Sequence, residues 1–234
     1  MAKEFKVKKK LNFTDKLLLR VVLLIKRRPK VVNLNSEGLP TRCILIGNHN
    51  KTGGPVNYSL CMAGKLMPWA AHQMTEGYRS RWRYAYHIFY RKKIKYGKLK
   101  SFILATLLAF FAPFAYNAVG IIPVYYDFRI FSTFKNSIKC LENDVPVFIF
   151  PENSDDGYKD YIDELHPGFL QLSKIYFDKH GVDLPIYTLH YNHKSKEIII
   201  GKPMYYRKLT KEHSDNDIMK IFAGYMNSLI TQNN

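Results

Sequence analysis

The sequence predicts an α/β fold: a single domain with a mostly parallel or mixed central sheet flanked by helices. Two apolar runs of strand length, residues 43–46 (CILI) and 146–150 (PVFIF), each break into a polar loop. A helical pattern over 131–142 separates the second run from a third, 121–126 (IIPVYY), and such strand–helix–strand alternation is typical of parallel strands. The length of 234 residues, with 47% hydrophobic side chains, allows one domain with a complete core.

The remaining elements follow from periodicity and from glycine and proline positions. In chain order we predict a helix over 58–66, a strand over 69–74, a helix over 101–119, a helix over 168–179, strands over 184–191 and 197–200 that pair as a hairpin, and a helix over 215–231. Pro123 favours a sheet edge for its strand, because proline donates no ladder hydrogen bond. Pro113 is expected to break the 101–119 helix near its end. Residues 53–55 (GGP) are expected to keep a helix from following the first strand directly.

The N-terminal segment is predicted to be a basic amphipathic helix that starts at residue 14 or 15. Its sequence over 16–28 (KLLLRVVLLIKRR) has an apolar run of about nine residues interrupted by Arg20, too short to span a bilayer. A helix of this kind can lie in the headgroup layer, with basic residues at its margins. We therefore divide the chain into a membrane-surface helix (1–30) and an α/β domain (31–234). The alternative is an ordinary core-packed helix with a solvated basic face.

The charge of the chain implies an anionic partner. There are 36 Lys and Arg against 19 Asp and Glu, a formal net charge of +17. Nucleic acid, an acidic lipid surface and a phosphorylated substrate all fit this charge. The basic and aromatic stretch 78–96 suits a membrane interface or a single-stranded nucleic acid. No standard nucleic-acid-binding module is present, so we expect a lipid or phosphorylated partner and no nucleic acid.

Hydrophobicity and cysteine usage indicate where the chain works. Residues 101–119 are the most hydrophobic segment and approach the length of a bilayer span, and we expect a buried or partly inserted helix. The cysteines, Cys43, Cys61 and Cys140, are odd in number and widely spaced, which favours buried free thiols over disulfides or a metal site. The expected location is the cytoplasmic face of a membrane, peripheral or partly inserted.

Two polar residues follow two of the predicted strands. His49 comes directly after Gly47 and Asn48 at the end of the first strand, and Glu152 comes after the strand over 146–150. Open α/β sheets keep their ligand sites at the carboxyl ends of the strands. Because most histidines are structural or solvated, either residue alone is a weak signal. Together they predict one cleft in which His49 and Glu152 meet.

Four sequence blocks resemble the glycerolipid acyltransferase family, typified by the lysophosphatidic acid (1-acylglycerol-3-phosphate) acyltransferases. In the family order these blocks are Asn48-His49, residues 120–124 (GIIPV), 150–153 (FPEN) and 184–186 (LPI). The resemblance covers roughly residues 40 to 205. It implies transfer of a fatty acyl group from a CoA or acyl-carrier-protein thioester to a lysophospholipid or other glycerol-phosphate acceptor, at an anionic membrane surface and without a cofactor. It also implies that His49 is the base and that Glu152 helps to bind the acceptor.

The chain departs from the family pattern at several positions. The Asp of the N-H-x4-D motif is replaced by Gly54, and the Gly after the family's Glu is replaced by Asn153. Asn57 could orient the imidazole, and Asp155 or Asp156 could supply a substitute carboxylate. If the enzyme is only weakened, Gly54→Asp should raise turnover; if another carboxylate has been recruited, it should help little or hinder.

The candidate substrate-binding residues lie in or near the same blocks. They are Asn48, Lys51, Arg129, Asn153 and Ser154. Arg129 is the nearest substitute for an arginine that often closes the second family block, and no cluster of residues suggests a metal. The expected function is therefore membrane-associated acyl transfer. The alternative is a catalytically lapsed relative that binds lipid or a membrane surface.

Overall fold

The computed structural model describes residues 5–50, 53–154, 157–158 and 161–231. The strands in these ranges are β1 (Lys30–Asn33), β2 (Ile44–Gly47), β3 (Met67–Ala71), β4 (Ile122–Val124), β5 (Val147–Ile149), β6 (Pro185–Asn192) and β7 (Glu197–Tyr205). The α-helices are α1 (Phe13–Ile25), α2 (Gly53–Met62), α3 (Tyr78–Arg83), α4 (Lys98–Val119), α5 (Ile130–Glu142), α6 (Gly168–His180), α7 (Tyr206–Leu209) and α8 (Asp215–Thr231). A 3₁₀ turn, His72–Thr75, follows β3, and a π-helix, Tyr84–Lys93, continues α3.

Over the described residues the seven strands form one mixed sheet, in the order β1-β7-β6-β2-β5-β3-β4. The strands β6, β2, β5, β3 and β4 are all parallel, whereas β7 pairs with β6 in the antiparallel sense and β1 pairs parallel to β7. The predicted α/β class is thus confirmed, as are the β6–β7 hairpin and the edge position of the strand that carries Pro123. The carboxyl ends of five parallel strands consequently lie along one edge of the sheet.

The core has two layers because side chains alternate across the sheet. In β2, Ile44 and Ile46 face one cluster, which also contains Phe169 and Phe222 from α6 and α8. On the other face Leu45 belongs to a second cluster, together with aromatic side chains of α2, β5 and β6. Every residue of β2 is buried, as expected for a central parallel strand covered on both faces.

A helix does follow β2 closely, contrary to the expectation from residues 53–55. Helix α2 begins at Gly53, so Pro55 lies in its first turn. A proline is tolerated there because the N–H groups of the first turn have no partner within the helix. The strand predicted over 146–150 is shorter in the structure, where β5 spans Val147–Ile149. The helix predicted over 101–119 begins earlier, at Lys98, and α4 continues through Pro113 to Val119.

The N-terminal segment is anchored to the α/β core before α1 begins. Asn12 caps α1: its side-chain oxygen accepts the backbone N–H of Asp15 at 2.8 Å, and Asp15 accepts the N–H of Asn12 at 2.9 Å. The ammonium of Lys8 lies 2.6 Å from the Asp15 carboxylate, which is itself buried. Phe5 and Val7 pack against the main core cluster. The residues that precede α1 therefore contribute to the core of the fold.

Helix α4 buries small side chains and exposes large apolar ones. The buried positions of α4 carry small side chains, mostly alanines, which let the π-helix approach closely. The large apolar side chains point outward, and α1, which contacts α4, also has an exposed apolar stripe. We call these exposed residues the α1–α4 face: Phe13, Leu17, Val21 and Leu24 of α1, and Leu99, Phe102, Ile103, Leu107, Phe110, Phe111 and Phe114 of α4.

Length and composition single out α4 as a candidate membrane segment. Within the described parts of the chain, it is the one helix long and apolar enough to cross a bilayer, with a mean hydropathy of 1.8. Only 17% of its most apolar window is buried inside the protein. An apolar surface of this extent is rare on a soluble monomer and indicates contact with a lipid or protein partner.

Candidate active site

His49 and Glu152 meet at the carboxyl edge of the sheet. Strands β2 and β5 are parallel neighbours, so the loops that follow them leave the sheet side by side. The backbone N–H of His49 donates a hydrogen bond of 3.0 Å to Oε1 of Glu152. Gly47 permits this arrangement, because a Cβ at that position would lie 2.7 Å from the ring of Phe148. The two residues singled out from the sequence are thus in direct contact.

Asn48 anchors the loop that carries His49. Its side-chain oxygen accepts hydrogen bonds from the backbone N–H of Tyr191 at 2.7 Å and from the hydroxyl of Tyr58 at 2.8 Å. Its amide nitrogen donates to the backbone oxygen of Tyr191 at 3.0 Å. Because Asn48 is buried and its oxygen and nitrogen are both engaged, it fixes the loop to β6 instead of facing a ligand.

The imidazole of His49 is surrounded by aromatic rings. The ring of Tyr158 stacks on it, with centroids 4.3 Å apart and planes 13° from parallel. The hydroxyl of Tyr158 lies 3.3 Å from Nε2 of His49. Phe150 contacts the imidazole edge-on at 5.2 Å, and Phe89 of the π-helix lies at 6.4 Å. The phenol hydroxyl therefore lies near Nε2 but over the face of the imidazole, and Tyr158 and Phe150 together hold the ring in place.

Glu152 lies in a partly dehydrated setting. Burial raises the pKa of its carboxyl to about 7, against the opposing effect of the hydrogen bond from the His49 backbone N–H. The same residue lines a cavity of about 200 Å³ together with Asn153, Tyr161 and Asp163. A carboxyl group with a pKa close to neutral, next to a histidine, is typical of sites that move protons.

Gly54, at the position where the sequence resemblance leads us to expect aspartate, has no space for a side chain. A Cβ at Gly54 would lie 2.5 Å from the backbone oxygen of His49 and 2.7 Å from that of Asn48. The N–H of Gly54 also donates to the His49 oxygen at 3.1 Å, which keeps the two backbones together. Asn57 is buried and donates to the backbone oxygen of Gly53 at 2.7 Å, so it is engaged within α2.

This crowding predicts that Gly54→Ala destabilises the protein by about 2 to 4 kcal/mol, since two backbone oxygens must move to admit the methyl group. Denaturant unfolding measures the effect. Gly224→Ala in α8 is the matched control, because a Cβ there meets no atom within 4 Å; it should be neutral or slightly stabilising. Equal stability of Gly54→Ala and wild type would show that the loop adapts. Gly54→Asp should be at least as damaging and should not restore a catalytic carboxylate.

The other residues expected at the site from the sequence have partners of their own. Ser154 is buried and accepts a hydrogen bond of 2.6 Å from the ammonium of Lys93, which also lies 5.8 Å above the Tyr158 ring. Asn153 instead faces Glu164, to whose carboxylate its amide donates at 3.0 Å. Lys51, Asp155 and Asp156 lie outside the described residues.

Arg129 is already paired. Its guanidinium donates to both carboxylate oxygens of Asp127 at 2.7 to 3.0 Å, and this contact lowers the pKa of Asp127 to about 2. It also stacks on Tyr125, 4.5 Å from the ring centroid. The guanidinium of Arg129 is therefore held between Asp127 and Tyr125, and Asp127 offsets its charge.

The π-helix supplies site residues that sequence reasoning missed. Phe89 faces His49, and Lys93 faces Ser154 and Tyr158. A π-helix has a wider turn than an α-helix, which brings residues four to five apart onto one face. The basic and aromatic composition of 78–96 marked this segment as unusual, but the contact with His49 depends on the fold. Among the described residues, no group of three or more His, Cys, Asp or Glu side chains could hold a metal ion.

Comparison with known proteins gives a match by structure and none by sequence. No family model and no curated protein matches the sequence. The fold is similar to the crystal structure of the 1-acyl-sn-glycerophosphate (LPA) acyltransferase PlsC from Thermotoga maritima, with a TM-score of 0.52. The alignment covers 93% of this chain and 80% of that chain, at 12% sequence identity. The similarity shows a shared fold over nearly the whole chain.

Proposed function

We propose, from the fold shared with a glycerophosphate acyltransferase, that this chain is a membrane-surface acyltransferase. It would move a fatty acyl group from a CoA or acyl-carrier-protein thioester to a hydroxyl of a lysophospholipid or other glycerol-phosphate acceptor. One observation supports this most: His49 stands at a strand end in direct contact with Glu152, whose carboxyl pKa burial raises to about 7. An imidazole base placed there can take the proton of an acceptor hydroxyl.

In the proposed reaction the acceptor hydroxyl gives its proton to Nε2 of His49 as its oxygen attacks the thioester carbonyl. The carbonyl π electrons move to the oxygen, and a tetrahedral intermediate forms. When the carbonyl reforms, the carbon–sulfur bond breaks and the imidazolium returns the proton to the departing thiolate. The products are an ester and a free thiol. Stacking on Tyr158 and edge contact with Phe150 orient the imidazole for these steps.

The carboxylate that assists the imidazole must come from a position other than 54. Glu152 is the nearest described carboxyl group, and its contact is with the backbone of His49. We assign Glu152 to binding of the acceptor hydroxyl, and we keep Asp155 or Asp156, on sequence grounds alone, as the group that balances the imidazolium charge. Lys93 and Ser154 border the same site and are suited to holding a polar part of a substrate.

The test is transfer of a labelled acyl chain by the full-length protein. Labelled acyl-CoA and acyl–acyl-carrier-protein are incubated separately with a panel of lysophospholipids and with glycerol 3-phosphate, and the lipid products are resolved. Formation of an acylated lipid that requires both donor and acceptor supports the proposal. If no donor and acceptor pair yields product, the proposal of catalysis is wrong.

We further propose that the chain works on an anionic bilayer through the α1–α4 face. Seven large apolar side chains of α4 are at least half exposed, from Ile103 and Leu107 at 50% to Leu99 at 75%. Basic residues of the N-terminal segment flank the apolar stripe of α1, and each such charge near an acidic membrane contributes about 1 kcal/mol. Helices that lie in a membrane interface expose apolar side chains and carry charged residues at the margin of the apolar surface.

Replacing Phe110 and Phe111 by serine should lower partition into vesicles containing acidic lipid by more than about tenfold, because two half-exposed aromatic rings no longer enter the bilayer. Vesicle sedimentation measures the partition, and circular dichroism checks the fold. Val182→Ser, a change at an exposed apolar residue outside this face, is the control and should bind normally. Unchanged binding of the double variant would show that the α1–α4 face does not hold the protein on the bilayer. Substitution in this face is preferred to deletion of the N-terminal segment, because Phe5 and Val7 pack against the core.

Gly54 favours a second candidate function, a lapsed acyltransferase that binds lipid without transfer. The position of the family's aspartate is closed to any side chain, so the His49 loop cannot regain that carboxylate without rebuilding. If the protein is a lapsed acyltransferase, it should bind lysophospholipid and vesicles but form no acylated product. The transfer assay separates the two, provided that binding of the same lipid is measured in parallel.

A further inference from the structure

A groove of about 630 Å³ is lined by the loop that follows β3 and by α3 with its π-helical extension. Three basic side chains, Arg79, Arg83 and His87, line it at intervals of four residues. Residues spaced by four lie on the same face of a helix. One helix face therefore offers two permanent positive charges and a titratable ring to whatever enters the groove.

The two arginines of the groove have no anionic partner among the described residues. No hydrogen bond or ion pair from Arg79 or Arg83 reaches any of the described residues. Arg81, between them in sequence, is different: its Nε donates to the backbone oxygen of Ala109 at 2.9 Å, which ties it to α4. The positive charge of Arg79 and Arg83 is thus available to a ligand, whereas that of Arg81 serves the fold.

Among the residues that the structure describes, one acidic side chain, Glu76, also lines the groove, and it is already engaged. Its carboxylate accepts a hydrogen bond of 2.5 Å from the hydroxyl of Ser80 and lies 3.7 Å from Nε2 of His72. Because Glu76 cancels at most one of the two arginine charges, the groove keeps a net positive charge. An anion is the ligand class that this arrangement favours.

The groove adjoins the site of His49. Its β3 loop leaves the sheet at the same edge as the loops after β2 and β5. Tyr84 lines the groove and also lies near Tyr158, whose pKa is raised by burial and further by Tyr84 and Glu152. Tyr158 in turn stacks on His49. Tyr84 and Tyr158 thus connect the groove to the imidazole.

We propose that this groove binds a phosphate group of a substrate of the His49 site, with Arg79 and Arg83 as its main ligands and His87 in support. The planar guanidinium donates paired hydrogen bonds that match phosphate oxygens, so two arginines neutralise a phosphate dianion. Arg129, the arginine suggested by the sequence, is paired with Asp127 and does not meet this need. The inference deepens the proposed acyltransferase function and rests on it.

Two phosphates fit this chemistry: the phosphomonoester of the acceptor and the nucleotide phosphates of CoA. They are separated by binding of two probes, glycerol 3-phosphate and adenosine 3′,5′-bisphosphate, to the full-length protein by calorimetry at low and high ionic strength. All measurements are made in a His49→Ala background, so that binding is observed whether or not the chain catalyses transfer. The test variant is Arg79→Gln/Arg83→Gln. Its matched control is Lys174→Gln/Lys211→Gln, which removes the same charge from exposed positions outside the groove.

We expect the groove variant to weaken binding of one probe at least about tenfold, more strongly at low salt, and the control to leave it unchanged. Loss for glycerol 3-phosphate assigns the groove to the acceptor, and loss for the bisphosphate assigns it to the donor. Equal loss in the control, equal affinity of the groove variant and its parent, or no binding of either probe overturns the inference. If the wild-type chain shows no transfer activity but a probe still binds through Arg79 and Arg83, the proposed function is wrong and the groove remains a phosphate-binding site.

Discussion

Replacing His49 by alanine is expected to lower acyl transfer by about 10² to 10⁴-fold while the fold survives. General-base catalysis by a positioned imidazole typically contributes about 10² to 10⁴ in rate. The contact that fixes this loop, from the His49 N–H to Glu152, uses the backbone and is retained in the variant. Initial rates with labelled donor and acceptor, together with a thermal unfolding curve, separate loss of catalysis from loss of structure.

Controls make this result specific to the imidazole. His193→Ala changes an exposed histidine of the β6–β7 hairpin and should transfer at the wild-type rate. Asp155→Asn and Asp156→Asn, tested singly, identify whether either carboxylate assists: the assisting one should lower the maximal rate and leave acceptor affinity nearly unchanged. Wild-type transfer by His49→Ala would remove the proposed base and with it the mechanism.

Glu152→Gln is expected to separate activity from stability. Transfer should fall about 10- to 100-fold, because a hydrogen bond from the acceptor to a charged group becomes one to a neutral amide. Stability should change in the opposite direction at alkaline pH. The amide oxygen of glutamine still accepts the His49 N–H, and the cost of a partly buried carboxylate is removed.

The stability effect has a defined pH window. Burial raises the pKa of Glu152 from 4.5 to about 7, so the folded protein holds this proton more tightly than the unfolded chain does. The stabilisation by the neutral acid is complete below pH 4.5 and is lost as the pH rises through 7. At pH 8 Glu152→Gln should therefore be more stable than wild type, by about 1 to 2 kcal/mol allowing for partial exposure, and the difference should vanish near pH 4.

Glu142→Gln provides a control of opposite sign. Hydrogen bonds from Lys179 and His180 lower the pKa of Glu142, so its ionised form stabilises the folded protein above its unfolded pKa. That variant should be less stable than wild type at pH 8. If Glu152→Gln were also less stable than wild type at pH 8, the folded protein would stabilise the ionised Glu152 carboxylate. The argument that burial destabilises this carboxylate would then fail.

Some features of the site could be predicted from sequence because they follow from local patterns. The apolar runs that end at Gly47 and at Phe150 each fix a strand end, and parallel order brings His49 and Glu152 to one edge. The strand of Pro123 lies at the sheet edge for an equally local reason, the missing N–H.

Other features depend on tertiary contacts and leave no local signal. Residues 53–55 suggest a loop, yet Gly53 begins α2, because the backbone of Gly54 packs against the His49 oxygen at a distance that only glycine allows. The π-helix Tyr84–Lys93 has no known sequence signature, and its packing on α4 sets which of its residues reach His49. Tyr158 is 109 residues from His49 in the sequence. Their stacking therefore depends on how the loop after β5 folds back to the site.

The phenol of Tyr158 bears on a competition that every acyltransferase faces, that between its acceptor and water. Burial keeps this hydroxyl protonated, and the phenol ring covers one face of the His49 imidazole, with its hydroxyl 3.3 Å from Nε2. In the proposed reaction this ring keeps water from that face of the base, and an acceptor reaches the edge of the imidazole with the help of binding energy that water lacks. A bound thioester would then be protected from hydrolysis until an acceptor has arrived.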